Sequence, residues 1–123
     1  MKNLRLIILA ISVMTFFSGL MQMVRPGFVL DFVGGENTPA TRQFFGTIGM
    51  FMLLFGGLII HTLYEARTSR TAMFWAGLQK FGASVAVAIG IYHGLFSMTA
   101  GAVAGFDFLS GILFFVYLRT LKE

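Results

Sequence analysis

Apolar residues run through this chain in four long blocks, and polar residues gather at the breaks between them. The blocks predict helices over about 4–25, 40–64, 71–98 and 102–121. Within each block the small and polar residues fall on one side of a 100° wheel. In the first, Ser12, Thr15, Ser18, Gly19 and Gln22 gather opposite a Leu, Ile, Val, Met and Phe surface. In the second, Arg42, Gly46, Gly49, Gly56 and Gly57 share a face with Leu53, Ile60 and Tyr64. The third carries Gly82, Ala86, Gly90 and Gly94 at four-residue spacing, with His93 near the same face. The fourth places Asp107 on one face with Ala104, Ser110, Gly111, Phe114 and Leu118. Such small stripes allow helices to approach closely in lipid. Gly46, Gly49, Gly56, Gly82, Ala86, Gly90 and Gly94 are therefore expected to form helix-packing seams.

The breaks have their own signatures. Arg25-Pro26-Gly27 ends the first helix. The linker that follows begins with Phe28, Val29, Leu30, Phe32 and Val33, too apolar to wave in water, so a short interfacial segment is expected, then a turn. Thr38-Pro39 puts proline in the first turn of the next helix, where its missing N–H does no harm. Gln79-Lys80 precedes an apolar stretch from Phe81 to Met98, about 27 Å long at 1.5 Å per residue. Trp75 and Lys80 are accordingly expected at the interface, with the Lys80 ammonium reaching the headgroups. Thr99-Ala100-Gly101 reads as a tight turn.

Composition converts these helices into membrane spans. Hydrophobic residues make up 57% of 123 positions and charged residues 11%, against about 25% charged in a soluble domain. A core of this size cannot hide that much apolar surface, so lipid must cover it. The expected fold is all-α: one membrane domain over 1–123, an antiparallel four-transmembrane-helix bundle. The first block opens with Lys2 and Arg5 like a signal peptide, but its apolar run continues through Val24 and Ser18-Gly19 offers no A-x-A site, so an uncleaved span is expected. Lys2, Arg5, Arg67, Arg70, Lys80, Arg119 and Lys122 fall on one side, Arg25 and Arg42 on the other. The positive-inside rule then places both termini in the cytoplasm. The net charge of +4 is scattered over segment ends, which argues against nucleic-acid binding.

Little in the chain points to covalent chemistry. The absence of cysteine removes disulfides, thiolate catalysis and cysteine metal sites. No H-x-x-x-H pair, carboxylate cluster or phosphate loop is present. His61 and His93 differ in height by roughly 20 Å on the predicted helices, too far for one haem iron within a protomer. No catalytic residue, metal or cofactor is assigned. The candidate polar site lies at the outer end, where Gln22, Arg42, His93 and Asp107 come to similar depth on the small, polar stripes. Asp107 has most to explain, because a carboxylate within a span needs a partner. Arg42 or His93 would supply one, either as a structural latch or as part of a ligand site.

The layout of four short spans, with a charged residue at the head of the second and Gln79-Lys80 before the third, resembles small bacterial inner-membrane proteins of the DoxX-like kind. The resemblance implies a bacterial inner membrane and assigns no residue a role. The glycine content of the second and third helices points to a structural or accessory subunit, non-enzymatic, packing against copies of itself or a larger membrane complex. A binding or transport module for a small or lipophilic ligand, using the outer cluster, is the alternative.

Overall fold

In the computed structural model, which describes residues 2–121, the chain is all-helical. Five helices are formed: α1 (Lys2–Val24), α2 (Pro26–Val33), α3 (Pro39–Leu63), α4 (Arg70–Tyr92) and α5 (Ala100–Thr120). All but α2 are long and apolar enough to cross a membrane, and the chain is an integral membrane protein. Of the basic residues counted toward topology, Lys122 lies outside the described residues.

Local chemistry sets each boundary. The first span stops where Pro26 removes an N–H, and Pro26 opens α2 at the helical position proline tolerates best. Thr38 caps α3: its hydroxyl accepts from Thr41 N–H while the Thr41 hydroxyl accepts from Thr38 N–H. Ser69 caps α4 by accepting from Ala72 N–H. The end of α4 differs from the expected boundary near residue 98. Gly94 adopts φ 72°, Leu95 N–H donates to Gly90 O at 2.8 Å, and Gly94 N–H donates to Ile91 O at 3.0 Å. This is a Schellman stop, which glycine adopts without strain. Gly34 ends α2 in the same way, with Gly35 N–H donating to Leu30 O at 2.9 Å.

The spans are organised as two antiparallel pairs, α1 with α3 and α4 with α5, each far more intimate than the contact between pairs. The two pairs use glycine differently. Between α1 and α3 the backbones themselves meet. A Cβ added to Gly49 would lie 2.7 Å from Gly19 O, and one on Gly56 2.8 Å from Ser12 O. Between α4 and α5 aromatic rings fill glycine notches. Phe81 lies against Gly111, Phe115 lies against Gly77, and the two rings stack at 5.7 Å between centroids. The pairs then dock through a core of Ile8, Ile11, Ile59, Leu63, Met73, Ala76, Phe114 and Tyr117.

The expected glycine seams are thus partly relocated. Gly49 and Gly56 are seam residues, joined by Gly19. Gly46 stands back, with its nearest neighbour 3.9 Å from an added Cβ. Of the four-residue ladder expected in the third span only Gly90 is in close contact, and what it meets is the Phe96 ring from the following loop rather than another helix. Gly82 and Gly94 have open space beside them, and Ala86 is exposed. The four-residue ladder of α4 therefore faces largely outward, because the face that α4 gives to α5 is set by Phe74, Gly77 and Phe81.

The ends are closed by specific bonds. At the end carrying the N-terminus, Arg5 donates to Leu63 O and lies over the Tyr64 ring, while Arg70 Nη1 donates to Leu118 O at 2.9 Å, capping the last turn of α5. At the other end the expected interfacial segment is helical. Its Leu30 and Val33 are buried while Phe28 and Phe32 are exposed. Ser97 N–H donates to Val33 O at 2.8 Å and Thr99 Oγ1 donates to Phe32 O at 2.8 Å, tying α2 to the α4–α5 loop.

Candidate functional site: a polar node at the centre of the bundle

Because α4 begins at its Ser69 cap and stops at Gly94, Lys80 lies ten residues from one end and twelve from the other. At 1.5 Å per residue it is about 15 Å inside the helix, near the middle of the hydrocarbon. It does not extend to the headgroups. Its side chain is 5% exposed, and Nζ lies 3.6 Å from Asp107 Oδ1 on α5. Nζ also donates to Thr15 Oγ1 on α1 at 2.5 Å and lies 5.5 Å from the centre of the Phe106 ring. One ammonium thus touches three helices, α4, α5 and α1. Phe55, Gly56 and Ile59 of α3 line the small space beside it.

The partners are presented by ordinary helix geometry. Thr15 Oγ1 donates back to Ile11 O at 2.9 Å, which leaves its lone pairs directed at Lys80. Ser12, one turn earlier, donates to Ile8 O at 2.8 Å in the same fashion. Ser84, one turn beyond Lys80, donates to Ala104 O at 2.8 Å, fixing the register of α4 on α5 near the ion pair. Of the polar stripe of α1, Ser12, Thr15, Gly19 and Gln22 face the interior, as the wheel suggests, while Ser18 is exposed; Thr15 finds there a cation rather than another polar helix.

The outer cluster expected from sequence does not assemble. Asp107 is paired with Lys80, not with Arg42 or His93. Gln22 Nε2 donates to Phe45 O at 2.9 Å, joining α1 to α3. Arg42 is exposed, and its Nη1 donates to Asn37 Oδ1 at 2.7 Å in the turn before α3. His93 is exposed at the C-cap of α4, its ring beside Tyr92. Among the described residues, no hydrogen bond, ion pair or ring contact joins any two of these four. The cause is the helix end. With α4 stopping at Tyr92, His93 leaves the helix surface instead of lying a turn and a half deep. Lys80 likewise leaves the interface where it is expected and enters the bundle, and the amide oxygen of Gln79 is buried beside it.

Lys80 is the residue sequence reasoning placed wrongly, and the signals that locate it are Ser69 and Gly94. A serine cap before Thr71 and a glycine stop after His93 make a 23-residue span centred near Lys80. The same span then leaves Lys80 as the buried group able to pair with Asp107.

Beside Lys80 is a cavity of about 10 Å³, lined by Ser12, Thr15, Gln79 and Lys80 among apolar groups including Phe114. Gln79 Oε1 is buried and has no protein donor. Among the described residues no group of three or more histidines or acidic residues is placed to hold a metal ion. No protein-family model, curated protein or solved structure matches the chain.

Proposed function

We propose that this chain is a structural or accessory membrane subunit, non-enzymatic, which packs laterally against other membrane helices, either copies of itself or those of a larger complex. The observation that carries this reading is the outward face of the α4–α5 pair. Gly82 follows Phe81, which faces α5, and Gly105 follows Ala104, which faces α4. In antiparallel helices a further 100° turns both residues to the same side, opposite Lys80 and Asp107. A Cβ on either would meet nothing, and Ala86 one turn on is exposed. This is a shallow small-residue surface of the kind membrane helices use for close approach. The interior supports the same reading: Lys80, Asp107 and Thr15 are engaged with one another, and the space beside them is about 10 Å³, the scale of one water molecule.

The test exploits a chain without cysteine. Ala86→Cys carrying a benzophenone label should cross-link in native membranes to one discrete product. Adding Gly82→Leu and Gly105→Leu should abolish that product and leave the melting temperature unchanged. Cross-linking only to lipid in the parent Ala86→Cys protein would remove the reading.

The proposal includes a bacterial inner membrane with both termini cytoplasmic. With Lys80 withdrawn from the count, Lys2, Arg5, Arg67, Arg70 and Arg119 still lie at one end and Arg25 and Arg42 at the other. Alkaline phosphatase fused after Thr120 should be inactive, and fused in the α2–α3 turn at Glu36 it should be active. The opposite pattern would reverse the orientation.

A further inference from the structure

We infer that the centre of the bundle is a binding site for a single water molecule, which hydrogen-bonds α1 to α4 through Ser12, Gln79 and Lys80. The inference is independent of what covers the outer face. A buried water needs room for one probe sphere, roughly 10–15 Å³, and two to four polar partners. The cavity of about 10 Å³ meets the first condition, and its lining meets the second. Gln79 Oε1 is an acceptor sealed from solvent without a protein donor. Ser12 uses its proton on Ile8 O, so its oxygen is free to accept. Lys80 has three N–H groups; one is donated to Thr15 and the ion pair with Asp107 at 3.6 Å occupies a second direction, which leaves a donor for a further partner. A water placed there donates to Gln79 Oε1 and Ser12 Oγ and accepts from the third N–H of Lys80. The buried oxygen of Gln79 then has a donor.

The site explains why Gln79 stands beside Lys80. Without the water, its acceptor is a buried group that should be removed with advantage, since an unsatisfied buried polar atom destabilises. With the water, Gln79 joins Ser12 to Lys80 through a shared ligand. The two situations predict opposite signs. In lipid nanodiscs, Gln79→Met, which keeps the side-chain length, should lower the melting temperature, and so should Ser12→Ala. The double variant should melt no lower than the worse single one, because either change alone evicts the same water. Millisecond X-ray radiolysis in ¹⁸O-labelled water gives a second readout that does not depend on stability. Oxygen should be incorporated at buried Phe114 or Ile59 in the native chain and lost in Ser12→Val, whose added methyl groups fill the cavity. A raised melting temperature for Gln79→Met, additive effects in the double variant, or no label at Phe114 and Ile59 would overturn the proposal.

Discussion

Asp107→Ala should unfold the bundle at markedly lower denaturant than any other single polar change in the spans, with a loss of roughly 3–5 kcal/mol. The substitution leaves the Lys80 ammonium near mid-membrane without its counter-charge, with only neutral groups such as Thr15 and the Phe106 ring around it. That is the costly half of a buried ion pair: the charge remains desolvated and its compensation is gone. Asp107→Asn should lose less, since the amide oxygen still accepts from Lys80. The decisive comparison is the double variant Lys80→Met with Asp107→Leu. Replacing a buried pair by apolar residues of similar volume is often neutral or stabilising by about 1–4 kcal/mol. The double variant should therefore recover most of what Asp107→Ala loses. Reversible unfolding of the four proteins in mixed micelles measures this. An Asp107→Ala protein as stable as the native one would mean that Lys80 finds water or headgroups, contrary to its burial.

Gly49→Leu should be the most damaging change at an apolar position. An added Cβ there meets Gly19 O at 2.7 Å and Gln22 Cβ at 2.8 Å, so the first atom already collides with the backbone of α1 and the rest have nowhere to go. Overpacking of this kind costs about 1–3 kcal/mol when the surroundings can yield, and more when they cannot. Here two helix backbones would have to separate, and the Gln22 bond to Phe45 O would be strained along with them. Gly82→Leu is the control, because it enters open space. Thermal unfolding of the isolated protein should show a large fall for Gly49→Leu and little change for Gly82→Leu. Equal behaviour would mean that the α1–α3 seam is looser than its geometry.

The contrast between those two glycines shows what the sequence could and could not convey. Four spans, the Pro26 break, the Thr38-Pro39 start and, Ser18 apart, the inward stripe of α1 were legible, because each follows from local backbone chemistry or from gross hydropathy. The partners were not. A glycine at four-residue spacing reads the same whether it meets a backbone, as Gly49 does, an aromatic ring, as Gly90 does, or nothing, as Gly82 does. Periodicity fixes a face and is silent about what stands opposite. The candidate site failed for a more specific reason. Apolar residues continue past Tyr92 to Met98, so hydropathy alone stretched the third span by six residues and moved its midpoint away from Lys80. The glycine that stops the helix was counted as part of its packing ladder. One misplaced end carried His93 into the bundle and Lys80 out of it, and the wrong partner for Asp107 followed.

The ion pair also constrains how the chain can enter a bilayer. A lysine at the centre of a helix opposes insertion by about 2.5–3.5 kcal/mol, and an aspartate by a similar amount. The α4 span has the lowest mean hydropathy of the four. Its Lys80 is matched only once α5 is beside it, and the two are separated by the short turn 93–99. The smallest segment of this region that lipid accepts without an unmatched charge is the hairpin rather than the helix. Biogenesis of the C-terminal half is therefore a paired event: α4 becomes a comfortable membrane span only when α5 has been synthesised and brings Asp107 to it.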